Sequence, residues 1–120
     1  MREIKYRAWF AKQKIMLSVN HIHFDRKNDR QDILVNCVYV ESSKCILMQY
    51  IGLKDKNKQE IYEGDIIKCS HGFIMKVVWE PYRLGWGLQD KKNTTWNHPT
   101  QHLFACEVIG NIYENKEVLK

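Results

Sequence analysis

With 120 residues, 44% of them apolar and 28% charged, the chain is long enough to hide roughly two thirds of its unfolded surface in one core, and its composition excludes a disordered segment or a coiled coil. Its net charge of +5, from 19 basic against 14 acidic residues, favours approach to nucleic acid or an anionic surface, yet the charges are interspersed. Even the densest basic run, Lys54, Lys56 and Lys58, is broken by Asp55 and reads as a solvated face, not a phosphate-binding stripe.

The predicted elements are short strands. Lys5 to Phe10 alternates, with Tyr6, Ala8 and Phe10 on one side and Lys5, Arg7 and Trp9 on the other. A turn at Lys12-Gln13-Lys14 leads to Ile15-Met16-Leu17-Ser18-Val19, where Ile15, Leu17 and Val19 are expected inward, giving an amino-terminal hairpin. Asp25 to Asp32 is uniformly polar and is expected to be a surface loop. Ile33 to Val40 is rich in β-branched residues and is predicted to be one strand covered on both faces, followed by a turn at Glu41-Ser42-Ser43-Lys44 and a strand from Cys45 to Tyr50.

From Tyr50 to Ile67 the chain passes from a strand through a charged loop into another strand. Asp65 to Cys69 and Phe73 to Trp79 then flank Ser70-His71-Gly72, a hairpin in which Gly72 supplies a positive φ and Phe73, Met75, Val77 and Trp79 form the core face. Pro81 ends that strand, and Gly85 and Gly87 bracket Trp86 where the next begins. Lys91 to Thr100 is expected to be a loop anchored by Trp96. Phe104 to Tyr113 is expected to be a strand with Gly110 at a bulge or close backbone contact, and Glu114 to Lys120 a short helical turn or a fraying end.

No apolar run is long enough to span a bilayer, and the opening Met1-Arg2-Glu3 lacks a signal-peptide pattern, so the expectation is a cytoplasmic protein with no membrane partner. In that compartment Cys37, Cys45, Cys69 and Cys106 are expected to stay reduced, as small buried thiols.

Three stretches carry a resemblance. Gly52-Leu53-Lys54-Asp55-Lys56-Asn57 with Glu60 to Ile67, then Glu107 to Asn115, and the opening Lys5-Tyr6-Arg7-Ala8-Trp9 resemble the YopX family of phage and prophage proteins. The matching motif residues are Gly52, Leu53, Asp55, Glu63, Gly64, Asp65, Gly110 and Asn111, and their role is read as structural. The chain departs from the pattern with Ile51 in place of Thr, Lys58 in place of Gly and Lys116 near an expected Pro. Without a glycine at 58, Asn57 is the residue expected to take any left-handed turn position. The resemblance implies a mainly β fold, a small SH3-like barrel or roll with an additional amino-terminal β-hairpin and little helix. It also implies self-association and a phage-encoded origin in a bacterial host. The expected organisation is one domain over 1–120, with amino-terminal strands in 1–50 and the SH3-like unit in 51–115.

The chemistry-bearing residues point away from an enzyme. No nucleophile sits beside a base, no paired carboxylates at a defined separation are visible, and neither familiar glycine-rich phosphate loop occurs. Glu63 and Asp65 flank Gly64, and the plainer reading is a turn in which Asp accepts backbone N–H bonds. His98, His102 and Cys106 are spaced four apart, with His21, His23, Cys69 and His71 as further pairs, but these lack the two close ligand pairs of a structural zinc site, so neither metal nor cofactor is expected. The expected activity is non-enzymatic: binding and homo-oligomeric assembly, with a host protein as another partner. The alternative is nucleic-acid binding, with Tyr82, Trp86 and Trp96 stacking on bases and Arg83, Lys91 and Lys92 meeting phosphates.

Overall fold

The computed structural model describes residues 4–70, 72–82, 84–92, 95–96, 103 and 105–119, with 95–96 and 118–119 described by backbone alone. Among the described residues the protein is mainly β, with twelve strands and short 3-10 turns at Ser42–Lys44 and Lys116–Leu119. The chain divides into two compact units, Glu3–Gln49 and Tyr50–Lys120.

In the amino-terminal unit, β1 (Tyr6–Phe10) pairs antiparallel with β2 (Ile15–Val19) on one side and with the first residues of β6 (Ile46–Lys54) on the other. β3 (His21–Asp25), β4 (Arg30–Val35) and β5 (Val38–Glu41) form a separate three-stranded meander. The core lies where Ala8 and Phe10 of β1 meet Ile33 and Val35 of β4, flanked by Leu17, Val19, Ile22, Val40, Cys45 and Leu47. Trp9 is buried too, so β1 is covered on both faces, whereas Ile15, expected inward, is exposed where β2 begins.

Two expectations for this unit are corrected. The polar stretch from Asp25 is a hairpin, not a loop: Asp25 closes β3, Arg30 to Asp32 open β4, and only 26–29 turn. A ladder needs backbone groups alone, and an exposed hairpin tolerates polar side chains on its solvent side. Nor is Ile33 to Val40 one strand. Asn36 and Cys37 adopt φ values of 47° and 65°, the pair of left-handed residues that a two-residue type I′ turn requires, and Val35 faces Val38 across it. Cys37 is therefore exposed at a turn and not a buried thiol.

In the second unit, β6 continues past a bulge at Gly52, φ 90°, and pairs with β7 (Glu60–Tyr62). The five-stranded sheet runs β11-β10-β9-β8-β12, built from β8 (Asp65–Lys68), β9 (Ile74–Glu80), β10 (Gly85–Gln89), β11 (Thr95–Trp96) and β12 (Glu107–Asn111). Ile51, Ile61, Ile67, Met75, Val77, Leu88, Leu103 and Cys106 form its core. On β9 only Met75 and Val77 of the expected core face are buried. Phe73 precedes the strand and Trp79 lies near its end, and both are exposed because alternation buries a face only where another layer covers it.

The other corrections fall at strand ends. Thr95–Trp96 pairs with β10 instead of lying in a loop. β12 starts at Glu107 and ends at Asn111, so Cys106 precedes it and Ile112 and Tyr113 belong to the following turn, while Phe104 lies outside the described residues. The left-handed turn residue is Lys58, φ 64°, and not Asn57. Asp55 dictates this: its carboxylate takes the N–H groups of Asn57 and Gln59, which leaves position 58 to reverse the chain whatever its side chain.

Candidate functional site

The residues of the family-like motif converge, and what they bind is backbone. Asp55 is buried at the end of β6, where Oδ1 accepts the N–H of Asn57 at 2.8 Å and of Gln59 at 2.8 Å, and Oδ2 accepts the N–H of Val108 at 2.9 Å. One carboxylate thus organises its own turn and fastens β12, 53 residues further along the chain. The Lys56 N–H donates to the Cys106 carbonyl at 3.0 Å beside it.

Asp65, at the start of β8, is also buried and accepts the Tyr62 N–H at 2.8 Å, closing the Glu63-Gly64 turn between β7 and β8. Gly64 sits at φ 85°, where any other residue strains, and its backbone ties two elements: its N–H donates to Val77 of β9 and its carbonyl accepts from Ile112. Glu63 is half-buried in this turn, and Leu53 packs partly buried against the core.

Asn111 completes the set. Its Oδ1 accepts the N–H groups of Tyr113 at 3.0 Å and Glu114 at 2.9 Å, and its own N–H donates to Oδ1 of Asn115 at 3.1 Å. Gly110 supplies close approach instead of a special φ: a Cβ there would lie 2.6 Å from Cγ of Asn115. Gly110 also follows the register shift between Val108 and Gly110 in the β8–β12 ladder. The acids and amides of the motif therefore spend their hydrogen-bonding capacity on turns and strand ends.

The aromatic and basic residues divide into two places. Trp86 faces Trp79 across the β9–β10 ladder in an edge-on pair, centroids 5.1 Å apart, and also packs on the core, so its ring is already engaged. Tyr82 stands 97% exposed in the β9–β10 turn near it. Lys91 and Lys92 lie past the other end of β10, which starts beside Trp86 and finishes at Gln89. Arg83 lies outside the described residues, as does the side chain of Trp96.

Lys91 and Lys92 instead line a hollow of about 370 Å³ with Gly72, Phe73, Ile74 and Asp90. Phe73, 63% exposed, is the ring that stands beside these lysines. Sequence reasoning missed it because strand alternation put it on the core face. The signal was its place directly after Gly72, at the turn rather than in the strand.

Among the described residues, no three His, Cys, Asp or Glu side chains come together to hold a metal ion. His71, His98 and His102 lie outside them. Among the described residues, no helix is long and apolar enough to cross a membrane.

The YopX protein family model matches residues 5–120. Among solved structures, protein EF1440 from Enterococcus faecalis is 24% identical, with a TM-score of 0.74 and 100% of both chains covered. Protein yopX from Bacillus subtilis is 20% identical, with a TM-score of 0.62, covering 97% of this chain and 98% of that one. At those identities the likeness is one of fold. No curated protein matches the chain.

Proposed function

The chain belongs to the YopX family, and from that membership and one open strand edge we propose that it is a non-enzymatic accessory protein of a phage or prophage, working in the host cytoplasm by binding and self-assembly. The observation that carries the reading is β5. It is the outer strand of its meander, paired with β4 on one side alone among the described residues, and Val38 and Tyr39 are 57% and 60% exposed on it. Protected edges carry lysine, proline or a bulge, and β5 has only Glu41 at its far end. The opposite edge, β3, also exposes a large ring, Phe24 at 66%, but sets it among the polar His21, His23 and Asp25.

An antiparallel β5-to-β5 pairing about a twofold axis satisfies the open backbone groups of both copies and covers Val38 and Tyr39. A non-catalytic role is further supported by the commitment of Asp55 and Asp65 to backbone N–H groups. Light scattering on the purified chain across a concentration series tests the reading. A dimer is expected, weakened about tenfold or more by Tyr39→Lys, which puts a charge on the edge. A strict monomer at high concentration removes the assembly.

A second reading, single-stranded nucleic-acid binding, is favoured by the hollow where Phe73 stands beside Lys91 and Lys92. It predicts oligonucleotide binding that weakens as salt rises, with the salt slope shallower by about 1.4 when both lysines become Ala. No binding at low ionic strength ends it.

A further inference from the structure

The thiols of Cys69 and Cys106 are 37 residues apart in sequence, yet their sulfurs lie 3.1 Å apart. Neither the family-like motif nor the proposed binding surfaces use them. Their approach follows from the ladder: Lys68 of β8 faces Glu107 of β12, so Cys69 and Cys106 occupy the next facing positions beyond that pair. Facing residues of antiparallel strands have Cα atoms about 4.5–5.5 Å apart, within the roughly 4.4–6.8 Å that a disulfide spans.

We propose that Cys69 and Cys106 are a redox site, a dithiol that closes reversibly to a disulfide and clasps the end of β8 to the start of β12.

The two sulfurs have distinct roles. Cys106 is buried, and its S–H donates to the sulfur of Cys69, which is half-buried and within reach of a small reagent. Burial first, and then the neighbouring Cys69 thiol, push Cys106 up to about 12, which keeps it protonated and leaves Cys69 as the attacking sulfur. The oxidant is a low-molecular-weight disulfide of the glutathione class. The Cys69 thiolate attacks it, forming a mixed disulfide and expelling one small thiolate. Cys106 then gives up its proton as its sulfur attacks the Cys69 sulfur, and the second small thiolate leaves. The protein dithiol is oxidised, the small disulfide is reduced to two thiols, and the two thiol protons end on those products.

The clasp falls where three elements meet. The Cys106 carbonyl holds the Lys56 N–H of the β6–β7 turn, and two residues on, Val108 donates to Asp55. On the other side, Cys69 closes the β8–β9 turn by donating to Phe73 and accepting from Gly72. Gly72 and Phe73 line the hollow beside Lys91 and Lys92, so oxidation fixes one wall of it.

The test incubates the full chain in oxidised and reduced glutathione at graded ratios, quenches it with acid, alkylates it after denaturation and maps it by peptide mass spectrometry. The expected result is a Cys69–Cys106 linked peptide whose fraction rises with oxidant and vanishes on reduction, while Cys37 and Cys45 remain alkylated. The C37S/C45S double variant, which leaves the pair untouched, is expected to give the same linked peptide, with no crosslink between chains on a denaturing non-reducing gel. Full alkylation of Cys69 and Cys106 at the highest oxidant ratio overturns the proposal. So do mixed disulfides with glutathione that never resolve, or crosslinks confined to Cys37 between chains.

Discussion

Two aspartates, one in each unit, solve the same local problem in opposite surroundings. Asp25 accepts the N–H groups of Lys27 at 3.0 Å and Asn28 at 3.3 Å in the exposed β3–β4 turn. Asp55 accepts those of Asn57 and Gln59 in the β6–β7 turn and adds Val108 from a distant strand. Water replaces Asp25's bonds when they break, whereas the Asp55 carboxylate is 4% exposed and has little water to turn to. A turn motif therefore decides tertiary structure when it is buried and reaches beyond its own turn. In the open it decides only local shape.

Removing the buried member should break the contrast most sharply. Asp55→Ala strands three N–H groups at the junction of β6, β7 and β12, and is expected to lower stability by about 3–4 kcal/mol in urea unfolding. Asp55→Asn tests the geometry separately. Its carbonyl oxygen can still serve Asn57 and Gln59, but the amide then turns a donor toward the Val108 N–H, so hydrogen exchange should quicken chiefly in β12. Equal protection of Val108 in wild type and D55N would mean that the long-range bond contributes nothing.

The next largest effect sharpens the comparison at the other end of β12. Gly110→Ala sets a Cβ against the Asn115 side chain, which must move and release the Asn111 N–H. The expected cost is about 1–3 kcal/mol. Replacing Asn115 with Ala in the same chain should remove the clash, so the double variant is expected to cost less than the sum of the two single ones. Strict additivity would show that the close approach at Gly110 carries no strain.

The same contrast explains what could be read from the residues. The second unit was legible because its turns use side chains of special chemistry: Asp55, Gly64, Asp65, Gly110 and Asn111 all stand in the motif that carried the resemblance. Their partners were not legible, since nothing local marks Val108 as the donor to Asp55. In the amino-terminal unit the residues that reverse the chain are mostly not the glycines a turn is read from. Lys14 before β2 and Asp29 before β4 have positive φ, as does Leu84 before β10 in the other unit, yet two of the three are types that rarely adopt it. Asn36-Cys37 likewise interrupts an apolar run without a glycine, so two strands looked like one. The Cys69–Cys106 approach was hidden because spacing along the chain says nothing about which strands become neighbours.

The smallest expected effect belongs to the exposed aspartate, and its sign can be worked out. The Asn28 side chain, then the Asn28 backbone N–H, with smaller help from Lys27 and Arg30, hold the Asp25 carboxyl below its ordinary value of 3.8 against a slight desolvation. A carboxyl depressed in the folded state adds stability above its unfolded value and loses that contribution as pH falls through the folded one. The Lys27 and Asn28 amide resonances should accordingly titrate together with a midpoint under 3.8, and Asp25→Asn should abolish the titration while leaving global stability nearly unchanged. Two unlike midpoints, or one at or above 3.8, would mean that the turn bonds do not favour the ionised carboxylate. The exposed turn would then differ from the buried one in kind, beyond its exposure to water.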